Sequence, residues 1–350
     1  MTRIGIALLL SAAVVRGQTS AQHAIQLNDQ GNRTSDAGDY MGAAGYYRQA
    51  VQIWRDLGPV YEAHLAGTLT NLGTVLCGAG HREKGSEIFQ EALALHRRTL
   101  GAHHIRTLGN MNLLAVDYLM LGDVARAEAM LDEALPILRQ EYPDDLQTSR
   151  ALEVMSGILN RRGKLRESLP PAEEAHAIVV RVAGEESLEA ALSYTTVAEA
   201  HRALDQLDRA LPLYRKAHVL YEKFLGANHP RVASISSQEG LVYMEEGKLA
   251  LAEQFMVKGL EILQNSCPAC NVERAVGETN LGILRLRQKR YREADAALSS
   301  ALARREEFSA QASPEMAGLL RNLAQVRKLE HREADAARLN QRAAAMAAFQ

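Results

Sequence analysis

Small residues recur along this chain with a period of 42, and that repetition limits the fold more tightly than any other feature. Gly31, Gly73, Ala115, Ser156, Ala198, Gly240, Gly282 and Ala324 are spaced 42 apart, with a single interval of 41 between Ala115 and Ser156. An apolar residue usually precedes each one; Gln30 and Glu239 depart from this. A second register runs beside the first through Ala43, Gly85, Ala127, Ser168, Ala210, Ala252, Ala294 and Ala334, where the last interval shortens to 40. A turn such as Gly38-Asp39, Gly80-His81, Gly122-Asp123, Gly163-Lys164 or Gly247-Lys248 follows the first register by seven residues. In the second register an apolar residue four on and an alanine seven on, as in Tyr47 and Ala50 or Phe89 and Ala92, mark one buried helical face. Each period therefore reads as helix, tight turn, helix, with the small residues placed where antiparallel helices cross closely.

Composition agrees with an all-α chain. Aromatic residues make up 5% of the 350 positions, with one Trp, which suits close-packed helices better than sheets. Lys and Arg number 40 against 42 Asp and Glu, so no basic surplus is present for a phosphate backbone and nucleic acid is not an expected partner.

Residues 1–21 read as an export signal: Arg3 supplies the charge, Ile4 to Val15 the apolar stretch, and a cut near residue 17, before Gln18, fits the small residues there. The stretch falls short of the roughly 20 apolar residues of a spanning helix. Cleavage predicts a periplasmic or secreted protein with no membrane association beyond this segment; an uncleaved anchor and a plain helix start are the alternatives. Residues 22–350 then form a single solenoid of eight repeats of about 42 residues, with the alanine-rich last helix, through Ala348, as a cap or a frayed end. Pro136 predicts a kink after Leu135, and Pro170-Pro171 predict a helix that bends or starts late.

The pattern resembles the tetratricopeptide repeats, in particular the 42-residue repeats of kinesin light chain and its bacterial relatives. Leu225-Gly226-Ala227-Asn228-His229-Pro230 matches the linker of that subtype, Leu100-Gly101-Ala102-His103-His104 and Leu57-Gly58-Pro59 match it in part, and Ala210-Leu211-Pro212-Leu213-Tyr214 matches its second helix. The resemblance implies an all-α, right-handed superhelical solenoid of about eight antiparallel helix pairs, in which the first helices line a concave groove that binds a peptide or protein partner. The family's concave positions lie three before, one after and four after each first small residue. They include Asn28, Asn32, Thr70, Asn112 and Asn160, with Asn71 alongside. Farther on they include Glu153, Thr195, Glu199, Arg202, Thr279, Arg321, Gln325 and Lys328, with Asn280 and Asn322 alongside. Asn and Thr suit an extended peptide backbone, and Arg202, Arg321 and Lys328 make the C-terminal half the better place for a carboxylate. The clamp of the chaperone-binding subclass is broken, because Asn28, Gly109 and Leu113 occupy its basic positions.

Cys267-Pro268-Ala269-Cys270 falls on a linker between repeats. A local disulfide is the leading reading of Cys267 and Cys270; free thiols, metal binding and thiol exchange with a client are the others. Cys77 reads as a packing residue. His81, His96, His103 and His104 lack metal-ligand spacing and read as linker or surface residues. The carboxylate pairs Glu173-Glu174, Glu185-Glu186 and Glu245-Glu246 read as solvated faces. No phosphate loop or nucleophile elbow is present, so no cofactor, metal or enzymatic activity is implied. A non-enzymatic interaction scaffold is the expectation, with a redox role for the cysteine pair and an oligomer built by end-to-end stacking as rivals.

Overall fold

The computed structural model describes residues 3–267, 270–308 and 314–347, with side chains from Gly17 onward except at Phe308, Pro314 and Ala347. Met1 and Thr2 and the side chains of the apolar leader, Pro268 and Ala269 between the cysteines, and Ala348 lie outside the described residues. The chain divides into two compact bodies, Met1–Tyr142 and Pro143–Gln350. The N-terminal body contains α1 (Arg3–Asp36), α2 (Tyr40–Leu57), α3 (Glu62–Gly78), α4 (Arg82–Leu100), α5 (Ile105–Met120) and α6 (Val124–Glu141), with a 3-10 turn at Pro59–Tyr61. The C-terminal body contains α7 (Leu146–Arg161), α8 (Leu165–Ala183), α9 (Leu188–Ala203), α10 (Leu207–Leu225), α11 (Pro230–Glu245) and α12 (Leu249–Ser266). It continues with α13 (Asn271–Arg287), α14 (Tyr291–Phe308), α15 (Pro314–Leu329) and α16 (Glu333–Ala347). The described fold is all-α, with sixteen α-helices in eight sequential antiparallel pairs.

The small residues sit where the helices of a pair cross. A Cβ added to Gly31 would lie 2.5 Å from the Tyr47 ring, to Gly73 2.7 Å from Phe89, to Gly240 2.8 Å from Met256, and to Gly282 2.6 Å from Leu298. In each case the large partner is sixteen residues on, and Ala115 with Leu131, Ala198 with Tyr214 and Ser156 with Ala172 keep the same offset with all six side chains buried. At most crossings the helices close because one side supplies little bulk where the other supplies a large side chain, and Ser156 with Ala172 is small on both sides.

One ending closes every first helix. The backbone N–H of Asp39 donates to Thr34 O (3.1 Å), and the equivalent bond recurs one period on at His81 to Leu76 (2.8 Å) and Asp123 to Tyr118 (2.8 Å). The preceding residue takes the left-handed conformation, which glycine adopts without penalty at Gly38 (φ 84°) and Gly80 (φ 88°). Three repeats place Asp205 (φ 60°), Lys289 (φ 62°) and His331 (φ 62°) there, so the turn persists without glycine. His331 also corrects the last repeat. Ala336, not Ala334, is the buried small residue of α16, one full period after Ala294, and Ala334 is exposed.

The linker motif caps the helix that follows it. His104 Nδ1 accepts from Arg106 N (3.1 Å) and His229 Nδ1 accepts from Arg231 N (3.1 Å), each satisfying one of the free amides of a first turn. The prolines lie inside continuous helices. Helix α8 begins three residues before Ser168, as α4 begins three before Gly85, so Pro170 and Pro171 do not delay it. Helix α6 runs on past Pro136 to Glu141. The carbonyls that lose a donor belong to Asp132, Arg166 and Glu167, all exposed residues.

Candidate functional site

In the N-terminal body the first helices bring three of the expected partner-binding residues together. Asn71 Nδ2 on α3 donates to Asn28 Oδ1 on α1 (3.2 Å) and lies 3.5 Å from Asn32 Oδ1, which also accepts from the Tyr47 hydroxyl (2.7 Å). Thr70 donates to its own helix at Ala66 O (2.9 Å) and accepts from Asn110 Nδ2 (3.1 Å). His96 is buried, with Nε2 3.4 Å from the Thr70 hydroxyl, and is not the linker or surface histidine its sequence neighbours implied. Burial and the Arg106 charge hold its pKa down to about 4, so it is neutral. Asn112 is 3% exposed and offers no surface to a partner.

A polar cluster lies beneath this face. Asp117, 1% exposed, accepts from the Ser86 hydroxyl, from Arg82 Nη1 (3.3 Å) and from the Cys77 thiol (3.3 Å). Burial and the Asp117 carboxylate push the Cys77 thiol up to about 12, which leaves it unreactive.

In the C-terminal body the same positions carry charge. Arg202 Nη1 donates to Glu245 Oε1 (2.8 Å), so Glu245 is ion-paired and not simply a solvated carboxylate. Glu199 accepts from Gln238 Nε2 (3.4 Å), and burial raises its pKa. Thr195 and Thr279 donate to their own helices, at Ala191 O (2.9 Å) and Ala275 O (2.6 Å). Asn160, Asn280 and Asn322 are half-buried. Arg321, Gln325 and Lys328 are exposed, and neither cation forms an ion pair among the described residues. Glu239, which breaks the apolar rule of its register, is buried because His218 Nδ1 donates to it (2.5 Å); that bond raises the His218 pKa.

A cavity of about 120 Å³ opens among Leu146, Ser149, Arg150 and Glu153 of α7, Val179 of α8, Leu188, Glu189 and Leu192 of α9, and Arg231 of α11. Burial raises Glu153 to about 8 despite Arg150 and Arg231, with Glu199 adding to the rise. Register counting reaches Glu153 and Glu199 but misses Arg150 and Arg231. Arg231 lies in the first turn of α11, where its only sequence signal is that it follows the His229-Pro230 cap.

Cys267 and Cys270 form a disulfide, with their Cα atoms 5.3 Å apart, at the turn between α12 and α13. Among the described residues no three His, Cys, Asp or Glu side chains gather to hold a metal ion, and no helix is long and apolar enough to cross a membrane.

The tetratricopeptide repeat family model matches residues 64–140, 110–179, 147–218 and 188–265. Among solved structures, a Rap protein complexed with competence and sporulation factor is 12% identical with a TM-score of 0.66, covering 95% of this chain and 98% of its own. The apo form of RapI is 15% identical with a TM-score of 0.58, covering 81% and 99%. BtubC (BKLC) from P. vanneervenii is 21% identical with a TM-score of 0.50, covering 65% and 91%. No curated protein matches the chain in sequence. At these identities the structural likenesses speak for the fold. Together with family matches spanning more than half of the residues and the crossing geometry repeated in both bodies, they lead to one assignment: the chain belongs to the tetratricopeptide repeat family.

Proposed function

We propose that this protein is a non-enzymatic scaffold that binds a peptide segment or protein partner along the face made by its first helices. The row formed by Asn28, Asn32 and Asn71 carries this reading. Each amide has more donors and acceptors than the bonds within the row consume, and the remainder suits the backbone of an extended chain. The peptide factor bound by the Rap protein of similar fold supports a ligand of that kind. Peptides selected on the purified protein from a random library test it. Asn32→Ala with Asn71→Ala is expected to weaken their binding by about tenfold, and equal binding by both proteins puts the contact on another face.

The reading includes export with cleavage near Gly17. One period before Glu62, where α3 begins, lies Ser20, so the repeat accounts for α1 only from there onward and removal of the leader leaves the first repeat whole. A disulfide at Cys267 and Cys270 suits an oxidising compartment. N-terminal sequencing of the protein from its native source is expected to start near Gln18; a start at Met1 or Thr2 refutes the cleavage.

A further inference from the structure

The cavity in the C-terminal body has an unusual inventory of partners. Glu153 lines it without a hydrogen bond to any described residue, between the apolar walls of Leu146, Val179, Leu188 and Leu192. Arg150 and Arg231 reach the same space and neither guanidinium forms an ion pair among the described residues; Arg231 lies 5.8 Å over the Tyr221 ring. The other titratable groups facing Glu153 come from α9, namely Glu189 on the lining and Glu199 beyond it, while α8 contributes only Val179 to the lining. Two guanidinia without an ion pair thus share the lining with the carboxyl groups of Glu153 and Glu189, around an apolar space large enough for a short branched side chain.

We propose that this cavity is a recognition pocket for a carboxylate carried on a short apolar body, such as an acidic side chain of a bound peptide. Arg150 and Arg231 supply the charge, the leucines and Val179 take the apolar part, and Glu153 donates a hydrogen bond to the carboxylate. Glu153 fits that role because burial keeps it protonated up to about pH 8, and a neutral carboxyl donates where an ionised one repels. A cation would be the natural partner of an ionised Glu153, but it would share the cavity with both guanidinia. The inference rests on the scaffold reading only for the source of the carboxylate.

Free small molecules test the pocket separately from peptide binding. Isovalerate and isoamylamine share a branched apolar body and carry opposite charge, and each is titrated into the methyl-labelled full chain by NMR. Isovalerate is expected to shift the methyls of Leu146, Val179, Leu188 and Leu192, and to bind more weakly as pH rises through about 8 and Glu153 ionises. Arg150→Ala with Arg231→Ala is expected to cost about tenfold in affinity. Glu153→Gln, whose amide still donates, is expected to keep binding and lose the pH dependence. Binding of isoamylamine that strengthens with pH overturns the proposal in favour of a cation site. If neither compound moves the methyls up to its solubility limit, the pocket is not a ligand site. Library peptides that bind while isovalerate does not remove the pocket and leave the scaffold standing.

Discussion

The two bodies use one repeat to build faces with opposite electrostatic habits. In the N-terminal body the first helices carry neutral amides that bond one another, and the buried titratable group beside them, His96, is held uncharged by desolvation. In the C-terminal body they carry Glu153, Glu199 and Arg202, and desolvation raises the pKa of both glutamates. Burial suppresses charge in both places. Because His96 is a base and the two glutamates are acids, the same physical cause makes these groups respond to pH in opposite directions. His218, raised by its bond to Glu239, joins the glutamates in losing its contribution as pH rises, while His176 and His229, lowered by burial, and Glu253, lowered by its bonds to Gln288 and Arg290, give the C-terminal body contributions of the other sign.

The largest expected effect belongs to Glu153. Its pKa is raised from 4.5 to about 8, so the stability it permits is fully present below 4.5 and is lost as pH climbs to about 8. The loss reaches up to about 5 kcal/mol. Urea unfolding followed by circular dichroism is expected to show Glu153→Gln closing that gap at alkaline pH without changing the slope; an unchanged alkaline loss breaks the comparison on its C-terminal side. His96 comes next. Its pKa is lowered from 6.5 to about 4, so stability is present above 6.5 and lost as pH falls to about 4. The size is about 3 kcal/mol. Trp54, the single tryptophan, lies buried in the N-terminal body with its indole donating to Thr68 (3.1 Å), so its fluorescence reports acid unfolding of that body alone. His96→Gln is expected to move the fluorescence transition to lower pH.

Two glycines of α3 sharpen the packing side of the comparison. Gly73→Ala puts a methyl 2.7 Å from the buried Phe89 ring and is expected to destabilise by about 1–3 kcal/mol. Gly67 has nothing within 4 Å of its added Cβ, so Gly67→Ala is expected to stabilise by about 0.5–1 kcal/mol. Thermal melts of both variants decide it: equal shifts would mean that the helices do not close on Gly73.

The crossings were legible because small residues at a fixed period leave few arrangements for a helix pair. The alanines of α16 were not, since Ala334 and Ala336 satisfy the same sequence rule and the left-handed turn at His331 selects between them. The burial of His96 was hidden because the hydroxyl beside it belongs to Thr70, 26 residues earlier, whereas the sequence showed only other histidines nearby. The on-time start of α8 ahead of Pro170 and Pro171 was hidden for a related reason. A proline's cost depends on whether the carbonyl it abandons faces water, and a sequence position does not say which side of the helix that is. At the candidate sites, register counting found Asn28, Asn32, Asn71 and Glu153, which lie on the family's face. It missed Arg150 and Arg231, which enter the cavity from outside that stripe.

The sixteen-residue pairing also fixes what can be exchanged between repeats. Gly73 with Phe89, Ala198 with Tyr214 and Gly282 with Leu298 are locks cut to different sizes, although their helices share a length and a turn. A single helix moved from one repeat to another would arrive with the wrong key, meeting either a hole or a collision. A whole hairpin moved together would bring its own match. The smallest heritable module of such a chain is therefore the helix pair, and duplication in steps of 42 residues is the route of growth that leaves every crossing intact.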